Sequence, residues 1–327
     1  MGFINTPEGS KISLINDRGE IIVQKVLVGE GPNRIASTFN CMAFSEEGDI
    51  WIQTPYEIVL FDQNLNIKTR ARYLSGNKVH IYGRMEVFHY FYLQNAYSGF
   101  TFFTIPNGTS RYLDGRDFRN SHLVEIFERE QEKLYEIAPV SDRTLSKNLD
   151  KSIGTLYFPV YTLDRKTRKL YLTASIDDEI TVYDLITRRL ESRIKIAHGE
   201  FKALKSVPIS LASLSSYKDR INLDARNHKI FFLDGGLMVL DYIREIPSGI
   251  YEKKIAEDPT YHHFKDSNYH RIIVFDGSKQ LTGDLPLPSN GKIMMSLPGN
   301  RLLVQLINPD VEEDFIRYGI YEVVKNK

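Results

Sequence analysis

Histidines and paired carboxylates are the residues here with the most chemical reach. Tyr261-His262-His263-Phe264, with His270 close behind, is the densest run of histidine in the chain. A zinc ion needs three or four ligands held by an ordered outer layer of hydrogen bonds. On a strand His262 and His263 point to opposite faces, so a single ion does not take both. No metal site is expected; on an inner strand one of the two would line a channel. Asp177-Asp178-Glu179 and Glu312-Glu313-Asp314 pair carboxylates. Acid–base catalysis would require one of them buried with a raised pKa. Both runs read as turn tips before a strand, where acids stay solvated, so no catalytic residue is assigned. Neither has the spacing of a calcium-binding EF-hand loop.

Other stretches read as structure. Gly29-Glu30-Gly31-Pro32-Asn33-Arg34 lacks the third glycine and the following helix of a phosphate-binding loop, which leaves a tight turn between blades. Residues 80–105 are crowded with aromatics. Strand alternation buries half of them, so packing comes first and a sugar or peptide platform second. The charged runs Asp164–Lys169 and Thr187–Arg189 suit hairpin tips. Asn107-Gly108-Thr109 fits a glycosylation acceptor on a loop. The single cysteine, Cys41, lies in an apolar run and reads as a small core residue; one cysteine makes no intramolecular disulfide.

The elements that must position these residues follow from a repeat. Apolar alternating runs end in an aromatic–acidic or similar pair, then turn and alternate again. They reach Asn16, Asp62, Glu128, Asp184, Asp276 and Glu322. From Asp62 to Glu322 the mean step is 65 residues over four steps. Asp241, ending "LMVLD", is a further possible anchor, so the period allows six or seven blades; six with one long insertion fits better. Each anchor has two strands upstream and one after the turn. That is the four-stranded antiparallel blade of a β-propeller, whose faces are buried only by stacking. The acid at the strand end caps the turn through its side-chain oxygens. Residues 121–138 also place apolar residues at helical spacing, but in phase with their neighbours they read as strand, turn and strand. Residues 200–216 read as a long loop or short helix. The first three strands read as the second to fourth of a blade whose innermost strand comes from elsewhere in the chain.

These residues resemble a known group. Leu27–Ile35 resembles the Gly-Glu-Gly-Pro turn of exported bacterial six-bladed propellers of the TolB-like and NHL-like kind. Leu156–Leu185 resembles a blade of one branch known only as a domain of unknown function. Ile255–Phe264 and Leu285–Gln305, followed by Glu312–Asp314 and Ile320–Val323, resemble its inner strand and final blade. The resemblance implies an all-β, six-bladed propeller over residues 1–327, working as a binding or scaffold module of the bacterial envelope. It supplies no catalytic residues. Such proteins carry a signal or lipoprotein cysteine. The start read here has neither a basic n-region nor an apolar h-region, and meets only the loose myristoylation pattern. Location is therefore periplasmic or outer-membrane-anchored if a signal was trimmed, and otherwise cytoplasmic.

Composition narrows the partners. Lys and Arg number 42, as do Asp and Glu, so the chain lacks the net positive field of nucleic-acid binders. No run approaches the ~18 apolar residues that span a bilayer. A monomer without cofactor is expected, binding a protein or a carbohydrate. Inner-strand positions at a channel mouth single out Arg84, Tyr161, Tyr261 and His262 as binding residues. The rival reading is a metal-dependent hydrolase or lactonase with an ion in the channel, which requires several carboxylates or histidines to converge.

Overall fold

The computed structural model describes residues 2–6, 9–16, 18–35, 41–45, 47–54, 57–72, 78–81, 86–87, 92–93, 96–97, 103–106, 122–128, 133–145, 159–202, 223–287, 291–306 and 316–325. Their contacts divide into two compact units, one ending with Pro139 and one running from Val140. Nearly all regular structure is antiparallel sheet.

In the first unit β1 (Gly2–Thr6), β2 (Gly9–Ile15) and β3 (Ile21–Val26) form a three-stranded meander. β4 (Cys41–Phe44), β5 (Ile50–Gln53), β6 (Glu57–Phe61) and β7 (Ile67–Arg72) form the next sheet. Short strands follow: β8 (Lys78–Ile81), β9 (Glu86–Val87), β10 (Tyr92–Leu93), β11 (Ala96–Tyr97) and β12 (Phe103–Pro106). β9 adds to β4 in parallel. β13 (His122–Glu128) and β14 (Lys133–Pro139) make the expected hairpin, with Phe127 opposite Leu134. Ile12, Leu14, Ile50, Ile52, Val59 and Phe61 join the first two sheets in one core. Between those sheets, Gly29 and Gly31 have φ of 137° and 132°. Side chains disfavour that region, which is why the turn needs glycine at both places.

In the second unit β15 (Pro159–Asp164), β16 (Lys169–Ala174), β17 (Glu179–Asp184) and β18 (Arg189–Lys195) form a four-stranded meander, the blade expected at Asp184. β19 (Arg226–Phe232), β20 (Leu237–Ile243) and β21 (His270–Asp276) continue in the next sheet, with β22 (Lys279–Gln280) and β23 (Leu285–Pro286) both on β21. β24 (Gly291–Leu297), β25 (Arg301–Leu306) and β26 (Arg317–Glu322) form the last. These sheets stack. Met238, Leu240 and Tyr242 of β20 meet Ile180, Val182 and Ile194 of the preceding sheet. Leu237 and Val239, on the alternate face, meet Ile293, Leu302 and Val304 of the following one. All seven residues of β20 are buried, as a strand between two sheets must be. β18, at the edge of its sheet, carries exposed Arg189, Glu191, Arg193 and Lys195, which discourages further strand pairing.

Asp241, the possible further anchor, does not end a separate unit: β20 runs on to Ile243 and pairs directly with β21, which ends in Asp276, in line with the preferred reading of one long insertion. The chain between them makes the long excursion, including the helix α1 (Ser248–Glu257). Tyr261 and His262 are not on an inner strand. They follow α1 and lead into a 3-10 turn at His263–Lys265. Lys254, the Asp258 turn and the Asp266 cap hold this segment in tight turns that leave no room for a strand.

Candidate functional site

The sheet built on β20 brings together the most chemically capable group among the described residues. Asp241, near the end of β20, is 2% exposed. His270 opens β21 two residues from Ile272, the residue directly across from Asp241. That diagonal is within reach on one face of a sheet. His228 lies on β19 where the register slips between Asn227 and Lys229. Such a bulge leaves one residue unpaired and re-aims its side chain. Here it brings the ring to Asp241. Both imidazoles donate from Nδ1 to this carboxylate, His270 to Oδ1 at 2.7 Å and His228 to Oδ2 at 2.9 Å. The rings meet edge to face, 5.3 Å between centroids. Burial by itself would raise the Asp241 pKa. The His270 charge and the two hydrogen bonds overcome it and hold the carboxyl well below the usual range.

A second group lies on the opposite face. His198 stacks on Phe201 at 4.0 Å and meets Tyr242 edge-on. Its Nε2 is 2.9 Å from Asn227 Oδ1. Burial pushes this imidazole down to about 4, against the opposing Asn227 contact. Asp284 Oδ2 accepts from the Gly199 and Glu200 amides at 2.9 and 2.8 Å and from the Tyr242 hydroxyl. Gln280 and Ala197 exchange two bonds of 2.9 and 3.0 Å. Together these contacts fasten residues 197–201 across the sheet edge.

The third group concerns the acids of Asp177–Glu179. Only Asp178 is exposed; Asp177 and Glu179 are buried, so the expectation of solvated turn tips does not hold. The cause is Arg143, itself fully buried. Its guanidinium donates to Asp177 Oδ2 at 2.6 Å, to Leu172 O at 3.1 Å and to Glu179 O at 2.7 Å. Glu179 accepts from Thr144 N and Oγ1, each at 2.8 Å, and from Arg193 at 3.0 Å. This network binds residues 143–144 to the β16–β17 sheet. Glu312–Asp314 lie outside the described residues.

The four residues singled out from the sequence fall in different places. Arg84 lies outside the described residues. Tyr161 stands half-buried on β15, opposite Leu172. Tyr261 and His262 adjoin each other beyond α1. The Tyr261 hydroxyl donates to Asp266 Oδ2 at 2.9 Å, and Lys254 Nζ sits 4.8 Å from its ring centroid. Burial, then the Asp266 contact, raises the Tyr261 pKa. Asp266 also takes Lys254 at 3.0 Å, which helps keep it charged although burial opposes this. His263 is buried and pairs with the Arg244 carbonyl at 3.0 Å. Of the histidine-rich stretch, only His270 enters the Asp241 group. His228 and Asp241 were missed: a bulge cannot be read from alternation, and Asp241 passed for a strand-end acid.

Solved structures that resemble the chain include two bacterial proteins. A member of the DUF4221 family from Bacteroides vulgatus matches with TM-score 0.65 and 12% identity, over 98% of this chain and 89% of that one. A putative exported protein from Bacteroides fragilis matches with TM-score 0.50 and 10% identity, over 91% of this chain and 74% of that one. No protein-family model and no curated protein matches the chain. At these identities the likeness is one of fold: a mainly β chain of consecutive antiparallel sheets, shared with bacterial proteins whose descriptions name no activity.

Proposed function

We propose that residues 1–327 form one six-bladed β-propeller that acts as a non-catalytic binding or scaffold module of the bacterial envelope, with a protein or carbohydrate as ligand. The observation that carries this reading is the use made of the buried charges. Asp177 and Glu179, the carboxylates the sequence offers for acid–base work, are held by Arg143, Thr144 and Arg193 in a network that joins chain segments. Stacked sheets support it by giving a rigid frame for loops, where binding residues usually sit. The envelope location rests on the sequence resemblance and accords with the description of the Bacteroides fragilis structure as a putative exported protein.

The test is a thermal-shift series with glycan fragments and envelope proteins, run beside assays on lactone and ester substrates. A ligand of the native state raises the melting midpoint as it saturates. The reading expects such a rise with one glycan or protein and no turnover. Turnover abolished by a chelator would replace it with the hydrolase reading. Recovery of the protein wholly in the cytosolic fraction of its bacterium would sink the envelope location.

A further inference from the structure

We propose that His228, Asp241 and His270 form a binding site for one first-row divalent transition-metal ion, zinc foremost. The inference stands apart from the binding-module reading, because a metal can be structural without turnover. One donor atom from each residue lies within 4.8 Å of the other two. Two imidazole nitrogens and one carboxylate oxygen are a donor set suited to zinc, iron, cobalt or nickel. Calcium and magnesium, which take six or more oxygens, do not fit it. An ion about 2.1 Å from each donor sets tetrahedral neighbours about 3.4 Å apart. The two imidazoles reach different oxygens of Asp241, at 2.9 and 2.7 Å. Whichever oxygen binds moves off its own imidazole by about 0.5–0.7 Å, and donor atoms already within 4.8 Å of one another close on the ion.

The placement also favours an ion. The three residues come from three adjacent strands of one sheet, β19, β20 and β21, and rigid elements hold ligands better than loops do. The β19 bulge brings His228 in on the same side as the other two. Asp241 and His270 are nearly sealed, at 2% and 4% exposed, while the His228 side chain is 26% exposed. His228 thus marks the entry path and the side on which a fourth ligand, water or a small anion, would sit. On binding, each Nδ1 releases its proton to water and offers its lone pair to the ion, and the neutral ring carries its hydrogen on Nε2.

The experiment titrates zinc and cobalt(II) into chelator-treated wild-type protein and into His228→Gln, the substitution least disruptive to the fold because His228 is the least buried of the three. Circular dichroism checks that both are folded. One ion per chain is expected in the wild type, weakened at least about 100-fold in the variant, since even outer-layer partners of a metal are worth 10–100-fold. Equal binding by the two proteins, or none by the wild type, overturns the proposal. Should the variant fail to fold, long-range 1H–15N spectra of the wild type decide. Zinc is expected to shift the protonated nitrogen of two histidines from Nδ1 to Nε2, and unchanged spectra overturn the proposal.

Discussion

His198 is an imidazole kept neutral by its surroundings. Its pKa falls from 6.5 to about 4, first because Phe201, Tyr242 and the sheet edge take it out of water. The unfolded chain takes up this proton near pH 6.5, whereas the folded chain refuses it until about pH 4. The stability held above pH 6.5 is therefore lost as the pH falls toward 4, by about 3 kcal/mol in full. Urea midpoints of wild type and His198→Gln between pH 7.5 and 4.5 isolate this share, and the variant is expected to lose less stability on acidification. Arg143 presents the opposite case, a buried cation balanced by the carboxylates of Asp177, at 2.6 Å, and Glu179, at 3.7 Å. Arg143→Met leaves the Asp177 charge buried without its counter-ion, a loss of about 3–5 kcal/mol in urea unfolding. A loss under 1 kcal/mol would mean that the network is not the tie between residues 143–144 and the β16–β17 sheet.

At the scale of elements, the strand-end acids explain why the repeat is visible in the sequence at all. Asp62 Oδ1 accepts from the amides of Asn64 and Asn66 at 2.9 and 2.8 Å, and Asp184 Oδ1 from that of Thr187 at 2.6 Å. Backbone hydrogen bonds, that of Asn66 and that of Thr187 first, lower both pKa values. Asp184→Ala is expected to lower stability by about 1 kcal/mol, as the loss of one capping side chain does at other turns and helix ends. A thermal melt unchanged from wild type would contradict the capping role. This local chemistry made the sheets around Asp62 and Asp184 legible, and alternation those ending at Asp276 and Glu322, together with the hairpin at 122–139. What escaped was long-range. The β19 bulge, the run of β20 past Asp241 and the burial of Asp177 by Arg143, 34 positions upstream, leave no trace in local alternation. α1 left a fainter one. Pro247 before Ser248, then Glu, Lys and Ala, is a start signal followed by helix formers. With no buried residue in α1, there is no apolar stripe to confirm it.

At the largest scale the structure describes, the second unit is built by stacking: one sheet is covered on both faces by its neighbours in the chain. A sheet held in that way has little freedom to slip, because a one-residue shift would turn its apolar side chains out of both contacts. The single-propeller proposal has a solution signature. A compact chain of 327 residues is expected to have a radius of gyration of about 20 Å. Small-angle scattering giving a much larger value, with two separate maxima in the distance distribution, would argue for two independent bodies in place of one closed ring.

The excursion between β20 and β21 leaves the sheet at Ile243 and returns at His270, and those two residues face each other across the ladder. Its helix has no fully buried residue; Lys254 ties it to Asp266 and Tyr261, and Tyr251 to Tyr261 and the small core of Ile243, Ile246 and Tyr269. A protease nick at Lys253 would therefore cut the covalent chain without unzipping the seven-pair ladder beside it. The two fragments would stay together as a split protein, and the same loop is the natural place to graft a foreign peptide for display.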